Sequence, residues 1–263
     1  MKSVFVREIK LNLKNLIIWS LSVGSLGLVC ILLYQSMQGD IKDMADAFSN
    51  MGSFSDAFGM STLSIATLKG YFATEVGTVH GLGSGMFAAI IAIGIISKEE
   101  EGHTGEFLLS LPISRNKVVA AKGLCVSIML IVFTLVCTVF YIVGFKILGD
   151  EMPMKEFYTF MLRQHIMNME IAAICFGMSS LKGKNRMGMG LGIALLCYVY
   201  DLMGRVVPDL KDSLFIGPYS YANAAEIFIG SETPVKGLVL AFTVLALMVI
   251  FAFWNYNRRD LAA

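Results

Sequence analysis

The sequence predicts an all-α membrane protein. It has six transmembrane helices, an N-terminal amphipathic interfacial helix, and one more short helix between spans two and three. Three observations carry this. Of the 263 residues, 56% are hydrophobic and only 16% charged, where a soluble domain carries about a quarter charged. The mean hydropathy is +0.69. The apolar residues are gathered into runs long enough to cross a bilayer core of about 30 Å. No internal repeat or disordered linker divides the runs, so residues 1–263 are read as one transmembrane domain. A net charge of +1 gives no reason to expect a nucleic-acid partner.

In the first fifteen residues, Arg7, Lys10 and Lys14 share one helical face, and Phe5, Ile9, Leu13 and Leu16 share another. Such a helix suits an anionic membrane surface; the alternative is a helical extension of the first span with a wet face. The first span is 16–37, free of charge. No cleavable signal peptide is expected, since the run is long and no small-residue cleavage site closely follows it. Residues 38–78 read as a polar loop holding short helices. The second span is 79–97, with Gly81 and Gly85 at a spacing that lets helices approach closely.

The remaining spans are 123–145, 157–181, 187–207 and 237–254. The fourth is unusually polar, with Arg163, Gln164, His165, Asn168 and Glu170; the fifth carries Asp201 and Arg205, with Gly188 and Gly192 four apart. Intramembrane charge is costly and is expected to be paired or to face water. Arg163 and Asp201 each lie about 9 Å below the outer ends of their spans, so they are expected to pair, with Arg205 sharing the carboxylate. Glu170 has no evident partner at its depth. It either lines a cleft or serves a structural contact. The five cysteines all lie in apolar runs without a C-x-x-C pair, as buried thiols do.

Six spans put both termini on one side. That side holds Lys2, Arg7, Lys10, Lys14, Lys98, Arg115, Lys117, Lys122, Lys182, Lys184, Arg186, Arg258 and Arg259, thirteen of the 21 basic residues. The positive-inside rule places it in the cytoplasm, with 38–78 and 208–236 outside.

The segment Lys98–Arg115, KEEEGHTGEFLLSLPISR, carries the functional signal. After a solvated charge run, Thr104 can cap a helix, and Glu106 suits the positive end of its dipole. Phe107, Leu108 and Leu111 line one face. Pro112 ends the turn, and Ser114 can cap the helix that climbs into the third span. A short apolar face of this kind suits a groove on a partner or a rest on lipid, and the pattern alone does not choose.

The same residues resemble the cytoplasmic signature of ABC transporter permeases of the six-span exporter class, the type-two ABC permease family. Glu99 and Glu101 match its acidic cluster, Thr104 its threonine, Glu106 its glutamate, Phe107, Leu108 and Leu109 its apolar turn, and Pro112 and Arg115 its exit. His103 stands where the family usually has glycine. Leu214–Phe228 is similar, more weakly, to the family's aromatic-rich stretch before the last span. The resemblance implies that 98–115 is a cytoplasmic coupling helix. It further implies that two permease subunits, identical or related, lie side by side in the cell membrane among lipid. Each would rest on a separate ABC ATPase subunit that binds ATP and Mg.

No ATP site is expected in this chain itself. The nearest string to a phosphate-binding loop, from Gly177 to Gly183-Lys184-Asn185, is one residue too long and ends in asparagine instead of a hydroxyl. No metalloprotease, serine-hydrolase or paired-aspartate motif occurs, and His80, His103 and His165 fall on three different elements. The chain is therefore not expected to be an enzyme or to hold a cofactor or metal. The rival readings are an ATP-independent secondary transporter, an intramembrane enzyme, and a structural or sensory subunit. The cargo is open; Phe, Met and Leu surfaces favour an amphipathic peptide, lipid or drug.

Overall fold

A computed structural model describes residues 1–101, 113–149, 151–181 and 187–258, with the backbone alone for 42–44, 46, 48, 49, 100 and 101. Every element among the described residues is helical. Among the described residues five helices are long and apolar enough to cross a membrane: within α1 (Lys2–Ser49), α3 (Leu68–Ile93), α5 (Arg115–Leu148), α7 (Met187–Val206) and α9 (Val235–Arg258). The expected fourth span corresponds to α6 (Met154–Ser179). Its 26 residues reach about 39 Å, but its polar residues keep it out of that set.

The N-terminal amphipathic stretch is not a separate helix. It runs unbroken into the first span as one 48-residue α1, the extension reading. The physical reason is that residues 2–23 contain no Gly or Pro to stop a helix. At its far end α1 absorbs residues 38–49, which were expected in the loop. The second span also starts earlier than expected. The Thr67 hydroxyl accepts from the Gly70 amide as an N-cap, and the helix continues through a π-turn at Phe72–Val76. The loop between the first two spans shrinks to 50–67, which contains α2 (Ser53–Phe58).

The centre of the bundle is α3. Of its apolar window 67% is buried, against 17–33% for the other four, and it packs on α1, α6 and α7. The most extensive pairing among the described residues is α1 with α5. It depends on Gly24 and Gly27: a Cβ at Gly24 would lie 2.8 Å from the Phe140 ring, and one at Gly27 would collide with the Tyr141 ring. In lipid, where apolar burial gives no net drive between helices, such close contact supplies the dispersion energy. Phe72, fully buried, meets Phe145, Phe157, Phe160 and Phe228 at centroid distances of 5.5–5.9 Å. It thereby joins α3 to α5, α6 and the short helix α8 (Ala224–Phe228).

The loop before the last span does not simply hang off the bundle. After a 3₁₀ turn at Pro208–Ile216, the turn Ser220–Ala222 is folded into the bundle, with Tyr219, Tyr221 and Ala222 buried. Gly85 makes room for this, because any Cβ there would overlap the Tyr219 hydroxyl. Gly188 and Gly192, expected at a helix contact, have nothing within 4 Å; Gly190 between them is the glycine that meets Ile93 of α3.

Candidate coupling site at the shared helix ends

Helix α3 ends at Ile93, and a turn leads into α4 (Lys98–Glu101). Thr104, Glu106, Phe107, Leu108, Leu109, Leu111 and Pro112 lie outside the described residues, and of Glu101 only the backbone is described. Glu99 and Arg115, which bracket them, are both placed.

Glu99 is buried, and its Oε1 lies 2.6 Å from the Nζ of Lys122 on α5. Lys122 is itself 0% exposed. Its ammonium also donates to Glu8 Oε1 of α1 at 3.0 Å and to the Ile95 carbonyl. An ammonium has three donors, and all three are matched here. The other oxygen of Glu8 takes Lys98. Among the described residues two carboxylates and two ammonium groups thus balance in charge. Such balance matters because an uncompensated buried ion costs several kcal/mol.

The exit end is tied differently. Helix α5 starts at Arg115 with Ser114 at its N-cap position, where the serine carbonyl accepts from the Lys117 and Val118 amides; the serine side chain makes no cap bond. Arg115 donates to the Tyr256 and Asn257 carbonyls at 3.3 and 3.2 Å, at the C-terminal end of α9. A cation there also suits the helix dipole. Asn116 and Asn257 bond side by side. Helix α6 joins through Ser179, whose hydroxyl accepts from the Ile96 amide at 2.8 Å, and through the Ser180 carbonyl, which accepts from Asn255 at 2.7 Å. One end of the molecule therefore gathers α1, α3, α5, α6 and α9 around the two roots of the 98–115 segment.

Sequence reasoning passed over Glu8 and Lys122. Glu8 is the only acidic residue before Asp40, and Lys122 stands among Val118, Val119, Ala121 and Cys125, all buried. A charge at a buried helix position was the available signal, but Lys122 read only as the border of a span.

The intramembrane polar residues fall into separate groups. Asp201 is held by Arg205 in a two-point pair, Nε–Oδ2 3.0 Å and Nη2–Oδ1 3.1 Å. Arg205 also lies 3.6 Å from Glu226. The expected Arg163–Asp201 pair does not form: among the described residues Arg163 makes no ion pair, because α6 and α7 hardly touch and α3 packs against both. Glu170 does have a partner, the Tyr221 hydroxyl at 2.7 Å. Burial first, and then the Glu170 carboxylate, push the Tyr221 phenol well above its ordinary range, so it stays an O–H donor. His165 meets Thr134 at 3.1 Å, and Gln164 donates to the Ala222 carbonyl at 2.9 Å.

Among the described residues no three His, Cys, Asp or Glu side chains gather as metal ligands, and the five cysteines are free thiols. Comparison with curated proteins finds no match. A family model does match, the ABC-2 family transporter protein, over residues 3–261. With multiple apolar spanning helices and a match across nearly its whole length, this multi-pass membrane protein belongs to the ABC-2 transporter family.

Proposed function

We propose that the chain is the transmembrane subunit of an ATP-driven ABC exporter, and that residues 98–115 are the coupling helix gripped by a separate ATPase subunit. The observation that carries this reading is the fastening of both roots of that segment. Glu99 and Lys98 tie the entry root to α5 and α1, and Arg115 ties the exit root to α9. A push on the segment therefore reaches three long helices at once, and a buried ammonium held by two carboxylates and a carbonyl resists local bending.

Membership in the ABC-2 family supports the ATPase partnership. Two copies of this chain, or this chain and a relative, would stand side by side, each on one ATPase subunit. ATP and Mg then belong to that partner, and this chain performs no chemistry. Six crossings belong to the same reading. On α6, Gln164, Asn168 and Glu170 are buried while Tyr158 and Leu162 are 52% and 60% exposed, so the helix turns its polar face inward and an apolar one toward lipid. Both termini then lie in the cytoplasm. The cargo class favoured by the apolar surfaces remains an amphipathic peptide, lipid or drug.

Copurification tests this. The tagged chain is extracted in mild detergent from its native membrane and its companions identified by mass. A soluble ATPase is expected with the natural chain and lost with Glu106→Lys and with Leu108→Asp. A chain that emerges alone, or variants that keep the ATPase, would overturn the reading.

A further inference from the structure

An apolar groove of about 420 Å³ runs between α5, α6 and α9 at the end where the termini lie. Gly123, Ser127, Ala173, Phe176, Val249 and Phe253 are among its walls. Its volume falls within the range of small-ligand sites, about 300–1,000 Å³. Its one hydroxyl, Ser127, already donates to the Gly123 carbonyl at 3.1 Å, so the walls offer a ligand little but hydrocarbon. Leu124 on its rim is 46% exposed, so the groove opens sideways, toward the lipid of a membrane.

The basic end of the groove is different. Lys117 is exposed and, at i, i+3 and i+7 with Ala120 and Leu124, shares their face of α5. Helix α5 has no acidic residue in its first turn and no bond from the Ser114 side chain, so its dipole and Lys117 both favour an anion at that end. Arg115 closes the gap between α5 and α9 through the Tyr256 and Asn257 carbonyls. From Lys117 to Ser127 the helix rises about 15 Å, half of a bilayer core of about 30 Å. That is the depth of one leaflet.

We infer that this groove is a binding site for one anionic phospholipid, taken from the leaflet on the side of the termini. An acyl chain would lie along Gly123 and Phe176, and the phosphate would meet Lys117 and the start of α5. The inference rests on the membrane placement of these helices and not on export.

The test uses the full chain, delipidated in a neutral detergent and titrated with phosphatidylglycerol or phosphatidylcholine, with bound lipid counted by native mass spectrometry. One phosphatidylglycerol per chain is expected, bound about fivefold more tightly than phosphatidylcholine, which is what one basic side chain near a lipid surface is worth. Lys117→Gln should reduce that preference to less than about twofold by the same reckoning. Gly123→Leu points into the groove, since a Cβ there stands 3.5 Å from the Phe176 ring without overlap; it should weaken both lipids at least about tenfold, as filling a pocket does. Should Gly123→Leu fail to fold, Ala120→Leu fills the same space. Equal binding of the two lipids, unchanged by the groove-filling variant, would overturn the site. So would a groove-filling variant that alters association between copies while lipid binding is unchanged, because a second chain would then be the occupant.

Discussion

Lys122 and Glu8 stand 114 residues apart in the chain and 3.0 Å apart in the fold, both out of contact with solvent. Their meeting ties the first helix to the third spanning helix at the root of the 98–115 segment. It gives the amphipathic N-terminal stretch a purpose other than lying on lipid: Glu8 faces the bundle and holds two lysines.

Lys122→Met is expected to be strongly destabilising. Removing one partner from a buried ion cluster costs about 3–5 kcal/mol, here because Glu8 and Glu99 would both lose the buried ammonium that they share. Thermal unfolding of the purified chain in detergent checks this. A loss under about 1 kcal/mol would mean that water or lipid headgroups reach the carboxylates.

Gly27→Val and Gly188→Ala should part company. A Cβ at Gly27 collides with Tyr141, whose hydroxyl bonds His80 at 2.9 Å, so overpacking of about 1–3 kcal/mol is expected. Gly188 has open space around it, and alanine there should be neutral or stabilising by up to about 1 kcal/mol. Parallel thermal-shift measurements on the isolated chain compare the two.

Tyr221→Phe and Glu170→Gln probe one hydrogen bond from its two sides. Phenylalanine leaves a buried Glu170 oxygen without its donor, at a cost of about 1–3 kcal/mol. Glutamine keeps an acceptor for Tyr221 and should cost less. If Glu170 serves transport as well as structure, Glu170→Gln will alter export at some pH while stability changes little. Transport that is intact at every pH would leave Glu170 a purely structural contact.

Much of the architecture was legible in the sequence because span length and apolarity leave few alternatives. Helices at 115–148, 187–206 and 235–258 follow from uninterrupted apolar runs. The second span was read too short because Thr67–Thr78 looks polar; Phe72 and Val76 in fact sit at 0% exposure in the core. Pairing was the least legible layer. Gly24 and Gly27 mattered where Gly188 and Gly192 did not, since spacing says that a helix can be approached but not by what. Arg163 and Asp201 lie at matching depths, yet depth says nothing of neighbours. Lys122 looked like the edge of a span because a lysine beside an apolar run usually meets water, and Glu8 from the first helix, Glu99 and the Ile95 carbonyl together keep it inside.

On the proposed function, the Glu99–Lys122–Glu8 cluster passes motion of the 98–115 segment to the spanning helices. The most direct test places spin labels at Leu11 on α1 and Trp254 on α9, which are 56% and 51% exposed, in the complex with its copurified ATPase. The distance between labels is measured with and without a non-hydrolysable ATP analogue. The account predicts a distance change in the natural chain and none in Glu99→Gln, with the ATPase still bound to both. A change of equal size in Glu99→Gln would contradict it and return the cluster to a structural role alone.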